Sequence, residues 1–144
     1  MILWSEKFAT GSNVIDQQHR MLINHINHLE WMVTSTNLNR EDCEYLIHLT
    51  SFLQSYAEKH FQYEEECMEN YRCPASEKNK QAHAGFLAFF RQFKKRCEAE
   101  GFRPEMLRTL HQTLSSWITE HILAVDTRLK PCIAAAAEPV LVAA

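Results

Sequence analysis

The sequence predicts an all-α protein, an antiparallel up-down-up-down four-helix bundle with an N-terminal arm. Three observations carry this expectation. Four long segments place apolar residues at three- and four-residue steps, the period of a helix with one buried face. Only three Gly and four Pro occur in 144 residues, and nearly all of them fall between or at the ends of those segments. The connections are short, which favours antiparallel neighbours.

The elements follow in order. Residues 1–12 form an arm, with Trp4 and Phe8 as anchors onto the bundle. The first helix covers 13–33, with Ile15, His19, Leu22, Ile23, Ile26 and Leu29 on one stripe. A turn follows at Ser35-Thr36-Asn37-Leu38-Asn39. The second helix covers 40–70 and carries Leu46, Leu49, Leu53, Tyr56, His60, Glu64 and Cys67 in register. The chain breaks at Cys73-Pro74. The third covers 75–100, with Asn79, His83, Phe86, Leu87, Phe90 and Phe93, and stops at Gly101, as helices often do. The fourth starts near Pro104, a favoured first-turn residue, and carries Leu107, Leu110, Leu114, Trp117, Ile118, His121 and Ile122. One domain, 1–131, is expected, followed by an Ala-rich tail, 132–144, with little to pack against.

Apolar residues make up 46% and charged residues 23%, with a net charge of −3. The absence of a basic face argues against nucleic acid as a partner. Five Cys without a CxxC pair read as neither a disulfide framework nor a thiolate zinc site, which favours a reducing, cytoplasmic setting. Met1-Ile2-Leu3-Trp4 meets charge too soon for a signal peptide. The apolar run at 133–144 is broken by Glu138 and Pro139, so no membrane insertion is expected.

Eight His are present, and their positions matter more than their number. His19, His60, His83 and His121 each fall on the apolar stripe of a different helix. His25, His28, His48 and His111 are not tied to one another and read as structural or exposed. A single His on such a stripe is ordinarily a core residue with its hydrogen bonds satisfied. Glu64 follows His60 by four residues, so both leave one helix face, and Asp126 follows His121 by five. A carboxylate on a core stripe is costly unless it is paired or binds a metal. By itself Glu64-Glu65-Glu66 reads more readily as a solvated face. Four helices each projecting a His inward, two of them adding a carboxylate, is how bundles build metal sites.

Imidazole with carboxylate suits iron or zinc. Six such donors are too many for one tetrahedral zinc, whereas two metals bridged by two carboxylates use them all. Five residues along a regular helix turn about 140°, so the fourth helix must widen, kink or end near Asp126. Cys67 shares the His60–Glu64 face and reads as core packing rather than a ligand.

Trp4 with Gly11, and Ile15-Asp16-Gln17-Gln18-His19, look like the entry to a first helix seen in one known family. His60-Phe61-x2-Glu64-Glu65, Met68, Pro74 and Trp117-Ile118-x2-His121-Ile122-x3-Asp126 follow in that family's order and at its separations. The chain thus resembles the bacterial hemerythrin family over residues 2–131. The resemblance implies two iron ions, bridged by a solvent-derived oxo or hydroxo group, that bind molecular oxygen. It assigns His19 and His60 to one iron, His83 and His121 to the other, and Glu64 and Asp126 as bridges. Trp117 and Ile118 would wall an apolar oxygen pocket, although plain core packing explains them as well. One departure is plain: the family's third helix carries His-x3-His, and here the first position is Asn79. Its amide is a poorer iron ligand, so Asn79 is expected not to ligate.

The function expected is sensing of oxygen or redox state for a signalling module, either fused beyond the tail or a separate partner. Oxygen carriage or storage is the alternative, followed by a di-iron enzyme acting on peroxide or nitric oxide, and then a metal-free interaction bundle. No general base or substrate pocket apart from the metals is legible. No catalytic residue is therefore assigned, and the chain is not expected to be an enzyme.

Overall fold

Each helix begins and ends for a local reason. The Ser12 side chain accepts a hydrogen bond from the Ile15 amide and opens α1, Asn13–Val33. Asn39 and Asp42 cap one another reciprocally at the start of α2, Arg40–Asn70. That helix closes where Arg72 takes a φ of 52° and the Cys73 amide bonds back to the Met68 carbonyl. The third helix, α3, Ser76–Glu100, stops at Gly101, whose φ of 80° favours glycine. Pro104 sits at the start of α4, Pro104–Ala124, where its missing amide costs nothing. The computed structural model describes residues 1–34 and 38–137. Positions 35–37 of the expected turn and 138–144 of the tail lie outside the described residues.

The result is the expected four-helix bundle, with no strand among the described residues. α1 packs against both α2 and α4, and α2 packs against α3. Layering shows the alternation of direction. α1 passes Ile15, then His19, then Leu22, whereas α2 passes Phe61, then Glu64, then Met68. The main core holds Leu22, Leu53, Phe61, Phe86, Phe90, Leu114 and Ile118. A second apolar cluster holds Ile15, Met68, Cys73, Ala75, Val125 and Leu129. Between the two lies a buried polar layer of His19, His60, Glu64, Asn79, His83, His121 and Asp126. These three layers align across the bundle only when adjacent helices run antiparallel.

The fourth helix ends at Ala124. Val125 leaves helical geometry at φ −121°, and Asp126–Arg128 forms a 3-10 turn. A further helix, α5, Leu129–Ala137, then follows. Only its first part packs: Ala134, Ala135 and Ala136 are exposed. Leu129 is fully buried, and Cys132 and Ile133 pack on the second apolar cluster. Gly11 lies against this helix with φ 88°, and a Cβ there would stand 3.5 Å from the Lys130 Cα. The arm is held along α1. Phe8 is buried, Ile2 exchanges two 2.8 Å hydrogen bonds with Asn27, and the Arg20 guanidinium sits 4.5 Å over the Trp4 ring. None of the described helices is long and apolar enough to cross a membrane.

Candidate metal centre

Each of the four helices contributes to the polar layer. His19 comes from the second turn of α1, His60 and Glu64 from one face of α2, Asn79 and His83 from one face of α3, and His121 from the last turn of α4. Asp126 reaches the same place because α4 stops two residues earlier and the 3-10 turn redirects the chain. None of the seven is more than 6% exposed, so bulk water does not solvate them.

The carboxylates divide their oxygens between two groups of imidazoles. Glu64 Oε2 lies 3.1 Å from His19 Nε2 and 3.2 Å from His60 Nε2, while its Oε1 lies 3.2 Å from His83 Nε2. Asp126 Oδ2 lies 3.1 Å from His19 Nε2, and its Oδ1 lies 3.0 Å from His121 Nε2. His83 and His121 face each other, Nε2 to Nε2, at 3.2 Å. Donor atoms of Glu64, His83, His121 and Asp126 fall within 4.8 Å of one another, as do those of His19, His60 and Glu64.

The donor set fits metal ions. Ligands at right angles about a metal, each roughly 2.1 Å from it, stand roughly 3 Å apart, which is the spacing of these atoms. Asp126 Oδ1, although 3.0 Å from His121 Nε2, is buried without an aligned hydrogen bond, a cost that a cation would remove. The His60 Nδ1–H donates to Gln18 Oε1 at 2.7 Å, which leaves the Nε2 lone pair turned into the site. His83 Nδ1 lies 3.5 Å from Glu65 Oε2 without a hydrogen bond between them.

Charges respond to this packing. Burial lowers the His19 pKa, but Asp126 and Glu64 outweigh it and leave it at about 9. At His60 burial prevails over Glu64 and the pKa falls below its ordinary value. Burial pushes the Glu64 carboxyl up, yet His19, His60 and His83 together hold it well below the usual carboxylate range.

Asn79 enters the site rather than bonding within the first turn of its own helix. Its Oδ1 lies 2.8 Å from His121 Nε2, and its Nδ2 donates to Glu64 Oε1 at 3.0 Å. Trp117 stacks on His121 with centroids 4.4 Å apart, Phe61 stacks on His83 at 3.8 Å, and Ile118 is buried in the main core. Outside the site, His25 sits edge-on to Phe52, His28 lies near Tyr45, His48 is exposed, and His111 faces Ser115. Gln18 was not legible as the support of His60, because only the pairing of helices brings it there. Adjacency of Gln18 to His19 was the one signal in the sequence.

Residues 10–133 match the family model described as the Hemerythrin HHE cation binding domain. The chain is 32% identical over 126 residues to a bacteriohemerythrin of Stenotrophomonas maltophilia (strain R551-3), covering 88% of this chain and 77% of that one. The chain belongs to the hemerythrin family. Similar proteins include bacteriohemerythrins of Pseudomonas aeruginosa (strain LESB58), 28% identical, and Pseudomonas paraeruginosa (strain DSM 24068 / PA7), 27% identical. Each of these matches covers 84% of this chain and 74% of the relative. Hemerythrin membership fits the cluster of His, Glu and Asp donors and implies non-haem iron.

Proposed function

We propose that this domain holds two iron ions, binds molecular oxygen there, and reports oxygen or redox state to a signalling partner. One observation carries the di-iron reading: both carboxylates turn one oxygen toward His19 and the other toward the His83–His121 pair. A single metal would leave half of those oxygens without a function. His19 and His60 would hold one iron, His83 and His121 the other, and Glu64 and Asp126 would bridge. When bound, the two ferrous ions supply the electron pair that retains oxygen.

The protein's own part is to exclude water and to orient the donors. Phe61 and Trp117 cover the His83 and His121 rings, and Gln18 holds the outer nitrogen of His60. The reporting role is supported by the position of Asp126, in the turn that leads directly into α5. A bridging group whose bonding differs between states makes the energies of those states differ, which any switch requires.

Metal analysis and a visible spectrum test the centre. Protein purified with iron should contain about two irons per chain, and the reduced form should gain visible absorption on exposure to air; one metal per chain, or no spectral change, overturns the reading. Hydrogen exchange in α5, compared between reduced and oxidised protein, separates sensing from carriage. Identical rates would favour an oxygen carrier.

A further inference from the structure

The second apolar cluster contains thiols that the metal centre does not use. Cys73 lies in the corner between α2 and α3 and is buried, while Cys132 lies on α5 and is half-exposed. Both thiols point at one atom: the Cys73 sulfur is 3.6 Å and the Cys132 sulfur 3.5 Å from the Arg128 carbonyl oxygen. Cys67, on the last turns of α2, packs on the same cluster. Cys43 and Cys97 sit near the start of α2 and the end of α3, at the other end of the bundle.

We propose that Cys73 and Cys132 are a reversible disulfide pair that staples α5 to the α2–α3 corner and so locks the floor of the buried polar layer. The inference stands on the sulfur positions and does not depend on which metal the site holds. The chemistry is thiol–disulfide exchange with a small-molecule disulfide such as oxidised glutathione. The exposed Cys132 thiolate attacks one sulfur of that disulfide, a mixed disulfide forms, and one glutathione thiolate leaves. The Cys73 thiolate then attacks the Cys132 sulfur and expels the second glutathione. Two protein thiols are oxidised, the oxidant is reduced to two thiols, and the two protein protons go to the departing thiolates. Cys73, with Cys132's own burial, pushes the Cys132 thiol up, so exchange is slow and needs sustained oxidant.

Its consequence is mechanical. Leu129 of α5 is fully buried against Ile15 and Met68 and covers the polar layer from below. The bond would close a loop of about 60 residues, for which chain entropy alone predicts a large stabilisation.

The test uses the full-length, iron-loaded protein incubated with excess oxidised glutathione, then digested without reduction and mapped by mass. A peptide pair joined through Cys73 and Cys132 is expected, with a rise in melting temperature of about 10 °C that a reductant reverses. C67S should retain both the cross-link and the rise, and C132S should lose both. A stable glutathione adduct on Cys132 without ring closure would overturn the proposal, as would a Cys67–Cys73 bond in place of the expected one. A Cys73–Cys132 bond with no change in melting temperature would overturn the staple.

Discussion

Asn79 is the residue that sets this site apart from the pattern its family resemblance implies. Its amide is fully buried and spans from Glu64 to His121, where an imidazole would supply a stronger donor. On the proposed di-iron reading, the His83–His121 side would be the more weakly held one. Asn79→His should slow chelator-driven iron loss about 10-fold and slow autoxidation of the oxygenated form. Unchanged rates of both, followed by absorbance, would show that the amide is not what limits the site. Glu64 is the complementary case, since it alone approaches three imidazoles. Glu64→Ala should bring iron below one per chain and destabilise the fold by about 3–5 kcal/mol, because His19 keeps its burial and loses a partner. Two irons retained in that variant, by elemental analysis, would refute the bridging role.

At the scale of elements, the end of α4 and the start of α5 decide whether the centre can be assembled. His121 and Asp126 could not both face the layer from one unbroken helix. The break at Val125 solves this and leaves a short 3-10 turn that a neighbouring element must hold. That element is α5, anchored by Leu129. Leu129→Ala should cost about 2–5 kcal/mol in denaturant unfolding and should accelerate metal loss, since the cavity lies beneath the ligands. A variant that lost stability and released metal at the original rate would show that α5 supports the bundle without guarding the site.

At the scale of the whole molecule, a polar layer between two apolar ones makes the bundle dependent on what it binds. Four buried imidazoles and two buried carboxylates are a poor core, and bound cations would turn them into a cross-link between helices. Binding energy at such a site is also folding energy. Removing the metal should lower the melting temperature by about 10 °C, the effect of roughly 4 kcal/mol of ligand linkage on a chain of this size. Differential scanning calorimetry of metal-free and iron-loaded protein checks this, and coincident melting curves would mean that the layer is stable by itself.

Periodicity was enough to define the four long helices, because each buries one stripe and its residues recur at 3.6-residue spacing whatever the partner. The same periodicity put His19, His60, Glu64, His83 and His121 on core faces, and the interval from His121 to Asp126 required a break that occurs at Val125. Those features are local, so a linear chain records them. The division of carboxylate oxygens, the turn of Asn79 toward Glu64 and His121, and the support of His60 by Gln18 are contacts between helices. Nothing in the spacing along one helix specifies the rotation or register of the next. The start of α5 is the clearest case: Leu129 is buried because Ile15, Met68 and Cys73 together offer a surface that exists only after the bundle has formed.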